Sequence, residues 1–495
     1  MKKILLLIYI LSGLIYCQPK DEVRAVWVTT AYNLDWPKTY GEENQKMEII
    51  NLFDALKDAN FNTVFFQVRA RGDLIYPSKI EPWSKSILSK LNGKPEYDPL
   101  KFIIVEAHKR GLEIHAWWNV FKVYGKGEPD KSDSEHVINK HPEFCKRYGE
   151  QWWIDPGIPS ARKYLLSVAA EMLHNYDLDG IHLDYVRYPN PDFNDSVTYR
   201  KYGNGDNKDD WRRNNVTDFV EALYDSIQSI NPKIKLGCAP LGIYKNSENG
   251  YSGWEAFADT YQDPVRWIRD KKLDYVSPQT YWKINSLPNF SGTLRSWENL
   301  ISERQIFPGV AAFKTENDKN WPLKELSAQI DSGRVFGVEG QAFFRAENLL
   351  ENNKNILSFL KSGVYKYPAN IPPMPWKDQI KPLPPTGLTS FRNSESQYTL
   401  FWRTPTNSID GDTASYYNIY IGKTILLDLD DPGNIYHLRL PAGANYFDIN
   451  LSSYAEGKYF ICITSLDRGN NESIPSDVIP IVLKKSVSVV KNRER

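Results

Sequence analysis

Eight short runs rich in β-branched and aromatic residues recur between Arg24 and Phe344, separated by longer stretches, several with helical periodicity. They are Arg24–Thr30, Thr63–Arg69, Leu112–Trp118, Gly180–Asp184, Ile234–Ala239, Tyr275–Gln279, Gln305–Ala311 and Gly340–Phe344. Lys46–Ala59, between the first two, carries apolar residues at helical spacing. Strands that alternate with helices build parallel βαβ units. Eight such units predict an α/β fold of the (β/α)8 TIM-barrel type. An open doubly wound sheet is the alternative, but no glycine-rich dinucleotide fingerprint follows the first run.

In such a barrel the chemistry lies at the C-terminal ends of the strands. Unusual polar and aromatic residues gather there: Gln67, Arg69, Arg71 and Asp73; His115, Trp117 and Asn119; His182, Asp184 and Arg187; Gln279, Tyr281 and Trp282. Some would be structural, because a buried Arg or His needs a partner. Alternation along the fourth run puts His182 and Asp184 on one face. A carboxylate at that strand exit can serve as acid, base, nucleophile or orienter in glycosidic cleavage. Alternatively, Asp184 ties Arg187 or His182 into the rim. Asp179, just before Gly180, reads as a turn residue.

Lys+Arg and Asp+Glu both number 61, so the net charge is zero, and long-range attraction to nucleic acid is not expected. Fifteen Trp and thirty Tyr suit either a well-filled core or a sugar cleft, where flat rings stack on pyranose faces. Cys145, Cys238 and Cys462 are scattered and make neither a disulfide framework nor a metal-ligand pattern. No metal or cofactor is expected, and the oligomeric state is left open.

Lys2 and Lys3 precede an apolar run from Ile4 to Tyr16, too short to span a bilayer, so residues 1–20 read as an export signal. Cys17 directly after Leu14-Ile15-Tyr16 resembles a lipoprotein cleavage box, which would anchor the protein to a membrane of the cell envelope. Ordinary signal cleavage, leading to a periplasmic or secreted protein, is the alternative. The barrel is expected over 21–365. Residues 366–385, rich in proline from Pro368 to Pro385, read as a stiff linker. Over 386–485 the period changes to short alternating strands, and 486–495 form a basic tail. Leu388, Trp402, Tyr417–Tyr420 and Tyr459 resemble a fibronectin type III domain, with Tyr459 as its corner tyrosine.

The segment Asp179-Gly-Ile-His-Leu-Asp184 resembles the glycosyl-hydrolase-like family ten. So do Phe61–Arg69 with Gly72-Asp73 and Tyr76, Glu81-Pro-Trp-Ser84, Tyr97–Leu100, His115-Ala-Trp117 and Pro278-Gln279 with Tyr281-Trp282. The similarity runs from about Val23 to about Leu349 and implies a TIM-barrel hydrolase of extracellular or envelope polysaccharide, peptidoglycan-type amino-sugar glycan being the first candidate. Many relatives carry two adjacent acids where this chain has Asp184 and Tyr185. A second carboxylate is therefore expected from Asp73 or Glu81, the alternative being that Asp73 pairs with Arg69 or Arg71 and Glu81 caps or braces the loop; a substrate-assisted route, with an N-acetyl group as nucleophile, needs only one. Arg69, His115, Trp117, Asn119, His182, Arg187, Gln279, Tyr281 and Trp282 are the expected substrate contacts, with Trp117, Tyr281 and Trp282 as sugar platforms. A glycan-binding protein without catalysis is the rival reading.

Overall fold

The computed structural model describes residues 18–484 apart from 89–93, 128, 250–251, 318–320 and 352–353. Cys17 and the basic tail lie outside the described residues. Parallel strands form at β1 (Val23–Val28), β2 (Thr63–Arg69), β3 (Glu113–Asn119), β4 (Gly180–Asp184), β5 (Lys235–Cys238), β6 (Tyr275–Val276), β7 and β8 (Gly340–Phe343). Strand β7 comes in two pieces: Gln305–Ile306 pairs with β6, and Gly309–Val310 pairs with β8. Pro308, which has no N–H to give to a ladder, marks the break. Between the pieces, Phe307 N donates to Val276 O at 2.9 Å and Ala342 N donates to Pro308 O at 3.0 Å. One segment is thus bonded on both edges, and the parallel sheet returns on itself.

Helices cover the outside. In α1 (Glu42–Asp58), Ile49, Leu52, Phe53 and Leu56 recur at helical spacing and are buried. Helix α2 (Pro99–Lys109) starts at Asp98, whose carboxylate accepts from Lys101 N, with Pro99 in the first turn. Helices α3 (Pro159–Asn175) and α4 (Lys208–Ile230) follow β3 and β4 and pack on each other.

The barrel interior is unusually polar. A Cβ on Gly180 would lie 2.6 Å from the His115 ring, and one on Gly237 would lie 2.2 Å from the Tyr275 ring. The two glycines make the room that these large side chains fill. Trp27 Nε1–H donates to His182 Nε2 at 3.0 Å, so the proton of this neutral imidazole sits on Nδ1, facing Tyr275 Oη at 3.1 Å. Tyr275 in turn reaches His115 Nδ1 at 2.7 Å, and His115 Nε2 faces Glu113 Oε2 at 3.3 Å. Burial, reinforced by His115, holds the His182 pKa well below its usual value. Lys235 Nζ completes the column on Glu113 at 2.7 Å.

Residues 386–483 form two antiparallel sheets. One is β9 (Thr386–Arg392), β10 (Gln397–Arg403) and β13 (Tyr446–Asn450); the other is β12 (Ile435–Pro441), β11 (Tyr416–Gly422), β14 (Gly457–Leu466) and β15 (Ile479–Leu483). Leu400, Tyr417, Ile419, Ile461 and Ile463 fill the space between them. Tyr459 Oη donates to Ala455 O at 2.8 Å.

The expected spacer is not one. Ile371 and Met374 join Val23, Phe65, Tyr275 and Ala342 in the barrel's inner apolar cluster. Trp376 Nε1 donates to Asp274 at 2.8 Å, and Lys377 pairs with the same carboxylate at 3.0 Å. The apolar residues set among the prolines close the base of the barrel, whose core would otherwise be wet. The sandwich seals it further: Asn470 Nδ2 donates to Glu113 at 2.9 Å, and Arg439 Nε donates to Gly111 O at 2.9 Å. Asp179 is also more than a turn residue, because its buried carboxylate pairs with His108 at 2.8 Å and with Arg468 of the sandwich at 3.1 Å.

Candidate active site

A cavity of about 250 Å³ opens at the C-terminal end of the barrel. Gln67 enters from β2, Trp117 and Asn119 from β3, Asp184 and Tyr185 from the end of β4, Gln279 and Tyr281 from beyond β6, and Phe344 from beyond β8. Tyr32, Arg71 and Lys122 stand around them. The volume is below the roughly 300–1,000 Å³ of pockets that take drug-sized ligands, so the recess suits the reacting unit of a longer substrate. A groove of about 900 Å³ on the outer flank, between α2 and α3, is larger, but no barrel strand ends in it.

Asp184 is the one carboxylate among the described residues lining the recess. Its Oδ1 accepts from Tyr185 N at 2.7 Å. Burial pushes its pKa up, while that backbone bond, Arg187, Lys122 and the Trp117 indole pull it back less strongly. A carboxyl so placed holds its proton to higher pH, which suits a general acid. Tyr185, directly after it, has φ 50°. A bulky residue in the left-handed region costs about 1–3 kcal/mol, a strain typical of functional sites.

Two buried polar atoms here have no partner, Asn119 Oδ1 and Arg71 Nε, while the Trp117 indole N–H is turned to Asp184. Groups left unsatisfied at a cavity wall are suited to a polar ligand. Gln67 is held rigidly, its Oε1 accepting from Thr29 Oγ1, Thr30 N and Ala31 N at 2.7–3.0 Å. That leaves its amide N–H groups as what it can offer the recess. Tyr281 packs 5.8 Å from Phe344 and presents an aromatic wall.

Other expected site residues lie elsewhere. Arg69 and Glu81 form a fully buried pair at 2.6 Å, and Arg69 also donates to Val120 O at 3.0 Å. Glu81 accepts from Tyr164 Oη at 3.1 Å as well, so it braces a loop and does not line the recess beside Asp184. Asp73 accepts from Arg71 N at 3.0 Å and pairs with the Arg71 guanidinium at 3.5 Å, behind the cavity wall. His115 and His182 are buried in the polar column and are not among the residues lining the recess. Trp282 packs against Gly242, whose added Cβ would meet its ring at 2.5 Å, and does not line the recess. Arg187 stands behind Tyr185, at 5.2 Å from its ring, beside the recess. Among the described residues neither Arg187 nor His182 forms an ion pair with Asp184, although Arg187 draws the Asp184 pKa down through space.

Lys122 was not singled out from the sequence, and Tyr185 figured there only as the residue in place of a second acid. One carboxylate trio, Asp378, Asp410 and Asp412, comes within 4.8 Å of mutual contact, but it lies against the sandwich, and Lys233 pairs with Asp412. Asp184 alone is a poor donor set for a divalent cation, which takes several oxygens.

The model of the family described as Glycosyl hydrolase-like 10 matches residues 22–319. This chain belongs to that family. Glycosyl hydrolase YngK of Bacillus subtilis (strain 168) is 33% identical over 425 residues, covering 81% of this chain and 83% of that protein. Glycosyl hydrolase DigH of Escherichia coli (strain K12) is 31% identical over 385 residues, covering 70% and 88%. Among solved structures, the PgaB (BpsB) glycoside hydrolase domain from Bordetella bronchiseptica aligns at 14% identity with a TM-score of 0.48, over 69% of this chain and 98% of that one. The Glycosyl hydrolase-like 10 match contains every residue named in the recess except Phe344 and leaves the sandwich outside.

Proposed function

We propose that this chain is a glycoside hydrolase that cleaves O-glycosidic bonds in an envelope or extracellular polysaccharide, with peptidoglycan-type amino-sugar glycan as its substrate. The observation that carries the reading is Asp184: a buried carboxylate with a raised pKa, at a strand exit, in a recess with unpartnered polar atoms. Its isolation favours substrate assistance over a protein carboxylate pair. Asp184 protonates the leaving oxygen while the acetamido oxygen of the sugar attacks the anomeric carbon and the glycosidic bond breaks. Water then opens the cyclic intermediate, returning its proton to the Asp184 carboxylate. Two displacements retain the anomeric configuration. Proton NMR of the first product from an N-acetylated oligosaccharide tests this: retention is expected, and an inverted product refutes it. Binding without new reducing ends would favour the non-catalytic reading instead.

The C-terminal sandwich is of the fibronectin type III kind; the three- and four-stranded sheets and the Tyr459 corner bond support this. The N-terminal signal and Cys17 support attachment to the cell envelope as a lipoprotein.

A further inference from the structure

We infer that the recess continues outward into a subsite for an acidic sugar unit, formed by Lys122, Tyr185, Arg187 and Trp254. The inference rests on the reading of the recess as a glycan site and names the chemistry of one of its sugars. Lys122 Nζ stands 4.6 Å from the centre of the Tyr185 ring. The Arg187 guanidinium stands 5.2 Å from the same ring and 4.8 Å from that of Trp254. Cation and ring therefore alternate in one unbroken file that begins beside Asp184 and ends at the surface.

Trp254 is 48% exposed, yet its indole N–H donates to Asn190 Oδ1 at 3.0 Å, and Arg187 supports one part of the ring. A large ring held still and open to water is a stacking platform for the apolar face of a pyranose. Neutral sugars need no more than that. Here, however, two cations stand side by side, and among the described residues neither has a carboxylate within ion-pair distance. Arg187 donates to Tyr188 O at 3.0 Å, and the two cations repel each other. Burial, then Arg187, holds the Lys122 pKa below its usual value. Partly buried like charges that outnumber their counter-ions are costly unless a ligand supplies a further anion. Asp184 faces both cations, and this one carboxylate cannot balance two positive charges. A carboxylate on the sugar stacked next to the scissile unit meets Lys122 directly and the field of Arg187 behind it.

Calorimetric titration tests this with a tetrasaccharide of alternating N-acetylglucosamine and N-acetylmuramic acid, and with the same compound after conversion of its carboxyls to methyl amides. The native chain should bind the acid at least about tenfold more tightly, the worth of one charge-assisted contact. Lys122→Gln should erase that preference, and Lys122→Arg should keep it. Trp254→Ala should weaken both compounds alike, by roughly 2–10-fold. Equal affinity of the native chain for acid and amide overturns the inference, as does a preference that survives Lys122→Gln. Reducing ends are counted in parallel. A preference without cleavage keeps the subsite and removes the hydrolase, whereas cleavage without preference does the reverse.

Discussion

Replacing Asp184 by Asn keeps the shape and the oxygen that accepts from Tyr185 N, but removes both the charge and the transferable proton. If Asp184 is the proton donor, the rate should fall by about 10²–10⁴-fold or more. Stability should move the other way. The folded-state pKa is raised above the unfolded value, so Asp184 favours folding while protonated, and that contribution is lost as the pH rises through the folded pKa. At neutral pH the ionised carboxylate is therefore a net cost, because burial outweighs the attraction of Arg187 and Lys122. The variant should melt at or above the native temperature at pH 7 and lose that advantage near pH 4. Reducing-end release and melting curves, measured on one preparation at both pH values, give the two quantities. A well-folded variant with near-normal turnover refutes the catalytic assignment. A melting temperature that drops at pH 7, with activity following the folded fraction, shows that Asp184 only holds the rim together.

Glu81→Gln should act through the fold, since it breaks a fully buried pair with Arg69; a loss of about 3–5 kcal/mol is expected in denaturant unfolding. Activity per folded molecule should stay near native, unlike that of the Asp184 variant. Truncation after Tyr365 should leave the barrel insoluble or loosely packed, because Ile371 and Met374 leave its core and Glu113 and Asp179 lose Asn470 and Arg468. A soluble, sharply melting 21–365 fragment would count against this account of the base. Cys17→Ala in a native membrane preparation should shift the protein to the soluble fraction if the cysteine carries lipid, and unchanged partitioning would argue for a different anchor or none.

The parallel α/β barrel was legible in the chain because strand and helix leave different periodicities, and each is a local property. Gly180–Asp184 and Thr63–Arg69 could be read off directly, as could the placing of Asp184 at a strand exit. The two short pieces of β7 and the two-residue β6 were less sharp, since Pro308 and the rim loops cut their ladders short. The roles of the polar residues were not legible in the same way. Glu81 and Asp73 have the chemistry of catalytic acids and equally of loop braces, and what weighs for bracing is the arginine partners that the folded loop brings near. His115 and His182 sit on inward positions either way, but the room that Gly180 leaves for His115 and Gly237 leaves for Tyr275 lets these side chains bond one another inside the barrel. Prolines at 366–385 stiffen a chain wherever it runs; that Ile371 and Met374 plug the barrel depends on an apolar opening that exists only once eight strands have closed. Residue type and period determine local structure and which atoms can react. Which of those atoms face a ligand, and which are spent on one another, is a matter of contacts between distant parts of the chain, and the tertiary structure alone decides it.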